Sequence, residues 1–130
     1  MDYQLNASHP DYIQIVVTRV VEKTGLAHAM SAVFQHPEYP FKHSLWDFSA
    51  ATGMGLNIGD LREIIGTLRL FRPRDNNFAN KVALVVPNHM HRAMAGIFVS
   101  LATLLPFEYK LFKTNGAAIK FLCPTIPQPD

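Results

Sequence analysis

The sequence predicts an α/β domain: a mixed sheet, mainly parallel after an N-terminal hairpin, flanked by about four helices. Three observations predict it. Two short runs, Ser44–Ser49 and Val82–Val86, are apolar-rich in the way of strands buried on both faces. The segments around them repeat apolar residues at helical spacing. Strand and helix patterns then alternate, and right-handed crossovers require the strands so connected to run mainly parallel.

Taken in order, Tyr3 to Ala7 alternates weakly, and Ser8-His9-Pro10-Asp11 supplies turn chemistry. The β-branched run Tyr12 to Val20 completes an opening hairpin. Thr24 is the expected cap of the first helix, whose Leu26, Met30, Val33 and Phe34 share a face and which stops at His36-Pro37. A loop through Pro40 leads to the strand Ser44–Ser49, then to a Gly-containing loop. Asn57 caps the second helix with Asp60 at its third position; Leu61, Ile64, Ile65 and Leu68 form its inner stripe, and Pro73 ends it. After Arg74-Asp75-Asn76-Asn77 comes the strand Val82–Val86, and Asn88 caps a third helix that Pro106 stops. Its Met90, Met94, Ile97, Phe98, Leu101 and Leu105 read as core. Phe107 to Lys113 is the last strand, and Thr114 or Asn115 caps a short helix through Leu122. The order is β-β-α-β-α-β-α-β-α. Residues 1–123 are expected to form one domain and 124–130, with three prolines, an extended tail.

At 130 residues the chain has the size of one domain with one core. Hydrophobic residues make up 48% and charged residues 17%, against about 25% charged in an average soluble protein. The apolar surplus predicts self-association, as a homodimer, or an interface with a partner. A net charge of +2 from 12 basic and 10 acidic residues argues against nucleic acid. The longest apolar stretch, Ala93 to Phe107, is broken by Gly96, Ser100, Thr103 and Pro106 and is shorter than the ~20 residues of a membrane span. With no secretory signal at the N-terminus, a cytoplasmic location is expected. Cys123 is the single cysteine, so no intrachain disulfide and no multi-cysteine metal site can form. No cofactor motif is present.

The blocks Leu45-Trp46-Asp47-Phe48-Ser49 and Ile58-Gly59-Asp60-Leu61-Arg62 resemble the strand-loop-helix unit of the STAS-like, anti-sigma-factor-antagonist family. Ala83-Leu84-Val85-Val86, Arg92 to Phe98, Tyr109-Lys110-Leu111-Phe112 and Ala117 to Leu122 are similar to its later blocks in order and spacing. The resemblance implies a mixed sheet flanked by helices, shared with lipid-binding CRAL-TRIO domains, and regulatory binding rather than catalysis. It also implies a phosphorylatable serine at the start of the second helix. Here Thr52-Gly53-Met54-Gly55-Leu56-Asn57-Ile58-Gly59 contains no serine, so that switch does not carry over.

Ligands of open α/β sheets sit outside the carboxyl ends of the strands, where helix N-termini present backbone N–H groups. That places Ser49, Thr52, Gly53, Gly55 and Asn57 after one strand, and Asn88, His89, His91 and Arg92 after the next, on one candidate edge. The edge would take a protein partner or a small anion. Ordinary helix capping is the competing reading. His89 and His91 lie about 200° apart on a helix and do not share a face for a metal, and His9, His28, His36 and His43 show no ligand spacing. Asp47 is expected to anchor a loop through backbone N–H groups, with acid/base work as the alternative. Arg62, Arg69, Arg72 and Arg74 make a basic flank, expected to be solvated. Two functions follow: a non-catalytic interaction domain with its partner between Thr52 and Asn57, or a carrier of a small molecule or lipid in an apolar pocket.

Overall fold

The computed structural model describes residues 1–70, 80–105 and 107–124, without the side chains of His89, Met90 and Leu104. The expected helix stops at Pro73 and Pro106, the loop 74–77 and the tail beyond Pro124 lie outside the described residues.

The elements follow the predicted order. They are β1 (Asp2–Asn6), β2 (Tyr12–Glu22), α1 (Lys23–Phe34), β3 (His43–Gly55), α2 (Ile58–Leu68), β4 (Lys81–Val85), α3 (His89–Leu101), β5 (Glu108–Phe112) and α4 (Asn115–Leu122). The sheet order is β1-β2-β3-β4-β5, with β1 antiparallel to β2 and every later pair parallel. Among the described residues no helix is long and apolar enough to cross a membrane.

Period-two alternation splits the core in two. Ile13, Ile15, Val17, Trp46, Phe48, Val82 and Leu84 face α1, α2 and α3. Leu45, Ala83 and Val85 face α4 through Ala118 and Leu122. The central strands are therefore apolar on both faces, as their sequence runs require. Lateral rows cross the sheet, Ile13–Ser44–Val82–Tyr109 at the amino ends and Ile15–Trp46–Leu84–Leu111 above it.

Two local expectations are corrected. Residues Ser49 to Gly55 are not a loop: β3 continues to Gly55 because β2, running to Glu22, pairs with it throughout, across register shifts after Val16 and Arg19. A Cβ on Gly55 would lie 3.2 Å from the Val21 carbonyl oxygen, so the close pairing there favours glycine. Nor does Thr24 cap α1. Pairing holds Glu22 in the sheet, the chain turns directly into the helix at Lys23, and Glu22 occupies the cap position without a side-chain hydrogen bond.

Candidate functional site

β4 pairs with β3 only from Ser44 to Asp47, so among the described residues β3 beyond Asp47 has β2 as its one neighbour. Asp47, only 7% exposed, marks that departure. Its Oδ1 accepts the Ser49 backbone N–H at 2.9 Å and also the Ser49 hydroxyl, while Oδ2 accepts Asn115 Nδ2 from the first turn of α4 at 3.2 Å. The carboxylate is thus engaged by three donors, one of them a backbone N–H, and it anchors a continuing strand where the sequence predicts a loop. Asn115 Oδ1 is buried and has no partner among the described residues.

Beyond this anchor, Ser49 and Thr52 are exposed, and Gly53 and Gly55 lie on the same open edge of β3. Asn57 closes a capping box on α2: its Oδ1 accepts Asp60 N–H at 2.8 Å, and Asp60 Oδ2 accepts Asn57 N–H at 3.0 Å. On the neighbouring connection, Asn88 Oδ1 accepts the His91 backbone N–H at 3.3 Å, and the Asn88 carbonyl accepts Arg92 N–H at 3.1 Å. Arg92 turns back, its guanidinium donating to the Val86 carbonyl at 3.1 Å. His91 is half-buried, with Nδ1 unpartnered among the described residues; the His89 side chain lies outside them. The side-chain bonds of Asn57 stay within the first turn of α2, and the guanidinium of Arg92 returns to Val86. Arg62 and Arg69 are exposed, whereas Arg72 and Arg74 fall outside the described residues.

Two further clusters have no spacing signature in the sequence. A hollow of about 90 Å³ lies between the sheet and α1–α3, lined by apolar side chains that include Met30, Met54 and Met94 together with Trp46. Ser44, Tyr39 and Tyr109 also line it. Burial pushes the Tyr39 phenol up to about 12; burial, then the nearby Tyr39, raises that of Tyr109 as well. The apolar surplus and the long apolar third helix are the sequence signals that bear on this hollow.

The second cluster joins the turn after β1 to the end of α4. Ligand atoms of His9, Asp11 and Cys123 lie within 4.8 Å of one another. Such a set offers sulfur, nitrogen and oxygen to a divalent cation. Two features oppose it: His9 Nδ1 already accepts the Asp11 backbone N–H at 3.0 Å, and burial, followed by the Asp11 carboxylate, raises the Cys123 thiol and disfavours thiolate. Residues 9 and 123 meet only because α4 returns to the first turn, which spacing along the chain does not reveal.

No protein-family model matches this chain, and no curated protein does. Solved structures do. One is an uncharacterized protein of the DUF3478 family with a SpoIIAA-like fold from Shewanella loihica PV-4, with TM-score 0.56 and 15% identity over 94% of this chain and 93% of that one. Another is the anti-sigma factor antagonist SpoIIAA in its unphosphorylated form, with TM-score 0.59 and 11% identity over 96% of this chain and 100% of that one. At these identities the likeness is one of fold: the chain has the SpoIIAA-like, STAS-type architecture that its ordered blocks predict.

Proposed function

We propose that this chain is a non-catalytic regulatory domain that works by binding a protein partner along the open edge of β3 and the start of α2. The observation that carries this reading is the strand itself. From Ser49 to Gly55 it is paired on one side only among the described residues. An unpaired strand edge presents backbone donors and acceptors to which an extended segment of another chain can add. Exposed Ile58 at the start of α2 supplies apolar contact next to the arm. Asp47, the carboxylate best placed for acid/base chemistry, is occupied as an anchor, which supports binding over catalysis.

The residues of this edge also support a departure from a phosphoserine switch. The α2 start is held by Asn57 and Asp60, and an acidic side chain already occupies the first turn where a phosphate would gain most. Ser49 and Thr52 are both exposed hydroxyls of the β3 arm, and that of Ser49 is held by Asp47.

The test is co-purification from the native cell with quantitative mass spectrometry. Wild type is compared with Thr52→Arg, which leaves the capping box intact, and with Lys120→Glu on the exposed surface of α4. A protein lost from Thr52→Arg and retained by Lys120→Glu is expected. Identical partners in all three samples would remove the β3 edge from the interface.

A further inference from the structure

We infer that the hollow between the sheet and α1–α3 is a binding site for a small, neutral, mostly apolar molecule carrying one hydrogen-bonding oxygen, received by the hydroxyls of Ser44, Tyr39 and Tyr109. This site shares Met54 with the β3 arm, and Leu56 just beyond it, but its test does not depend on a protein partner.

The polar groups of the hollow lie at one end. Ser44 and Tyr109 belong to the lateral row at the amino ends of β3 and β5, and Tyr39 opens the 3-10 turn Tyr39–Phe41 just before β3. Ser44 is 3% exposed on an otherwise apolar face, and among the described residues no hydrogen bond reaches any of the three hydroxyls. These hydroxyls are not sealed in the core but reach the hollow, where water or a ligand oxygen can meet them. Towards the carboxyl ends the lining becomes wholly apolar, through Phe48, Met54, Leu56 and Val86.

The lining also fixes charge and size. Among the described residues no charged side chain lines the hollow, so an anion or cation would be buried without a counter-charge, and ionised groups avoid such sites. An apolar cavity of roughly 150 Å³ takes up benzene; at about 90 Å³ the present one suits a molecule of comparable or smaller girth. Met30, Met54 and Met94 provide flexible walls that can adapt to its shape.

Trp46 lines the hollow and is the only tryptophan in the chain, so its fluorescence reports occupancy directly. The probe is 2,2,2-trichloroethanol, a neutral alcohol that quenches indole; trichloroacetate is its anionic counterpart, and 1,1,1-trichloroethane lacks the oxygen. Saturable quenching by the alcohol is expected, at least ~10-fold tighter than by the anion and about 5-fold tighter than by the oxygen-free analogue. Ala95→Leu, which grows a side chain from the wall into the hollow, should abolish the saturable component. Only linear, collisional quenching of wild type by the alcohol would overturn the proposal, and so would equal affinity for alcohol and anion. Undiminished saturable quenching in folded Ala95→Leu would do the same. These wild-type comparisons decide the matter even if Ala95→Leu does not fold.

Discussion

Asn115 Nδ2 donates to Asp47 Oδ2 at 3.2 Å, tying the first turn of α4 to the point where β3 leaves β4. Asp47 also accepts from Ser49, so its removal would strand several polar groups at once. Asp47→Ala is expected to cost about 1–3 kcal/mol in urea denaturation. Asp47→Asn keeps an acceptor for Ser49 and should lose less. Asn115→Ala should also cost less than Asp47→Ala, because it removes a buried oxygen that has no partner among the described residues. An Asp47→Ala variant as stable as wild type would show that the carboxylate does not anchor the strand.

The capping box at α2 gives a second expectation. Asn57 accepts from Asp60 N–H while Asp60 accepts from Asn57 N–H, so two N-terminal donors are satisfied reciprocally. Replacing Asn57 with Ala should lower stability by about 1 kcal/mol, and replacing it with Gly by only a few tenths. No loss in either variant would mean that the side-chain oxygen contributes nothing.

The fold was legible because the residues that determine it act locally or through periodicity. Leu45 and Ala83 mark strands apolar on both faces, Leu61 to Leu68 mark one face of α2, and Asn57 with Asp60 marks its start. The extension of β3 was not legible. Ala50-Ala51-Thr52-Gly53 has weak strand propensity, and it is held extended by its pairing with Thr18 to Val20, a contact between distant segments. For the same reason Ser44 read as an ordinary strand residue. Its place in a row with Val82 and Tyr109 depends on the register of three strands.

Arg19 has φ 67°, the left-handed region, at the register shift in β2. For a residue with a Cβ this conformation costs roughly 1–2 kcal/mol. Its ion pair with Asp2, at 3.6 Å between largely exposed side chains, returns little. Arg19→Gly is therefore expected to be stabilised by about 0.5–1 kcal/mol after the larger loss of chain entropy on folding. A destabilised variant in the same denaturation assay would show that the arginine side chain matters more here than the backbone.

Cys123 lies beside Asp11, and burial followed by that carboxylate raises its thiol above the ordinary value. At pH 8 it should react with iodoacetamide more slowly than free cysteine, because the thiolate is the nucleophile. Asp11→Asn should speed the reaction several-fold while the fold is retained. Unchanged kinetics in that variant would assign the slow reaction to burial and not to the carboxylate.

His43 provides the pH dependence. Its Nδ1 accepts the Lys81 backbone N–H at 2.9 Å, so the folded state uses the neutral ring. Burial lowers its pKa below 6.5, the nearby Lys81 charge lowers it further, and Asp11 opposes in part. Below about pH 6.5 the unfolded chain takes up a proton that the folded chain resists. Stability therefore falls as pH drops from about 6.5 towards the lowered folded value, and this group contributes no slope above that window. His43→Gln cannot titrate and retains an acceptor for the Lys81 N–H. The difference in unfolding free energy between wild type and His43→Gln should be constant from pH 7 to 8 and shift against wild type between pH 6.5 and 5. A difference that stays flat across the whole range would show that this histidine is not coupled to folding.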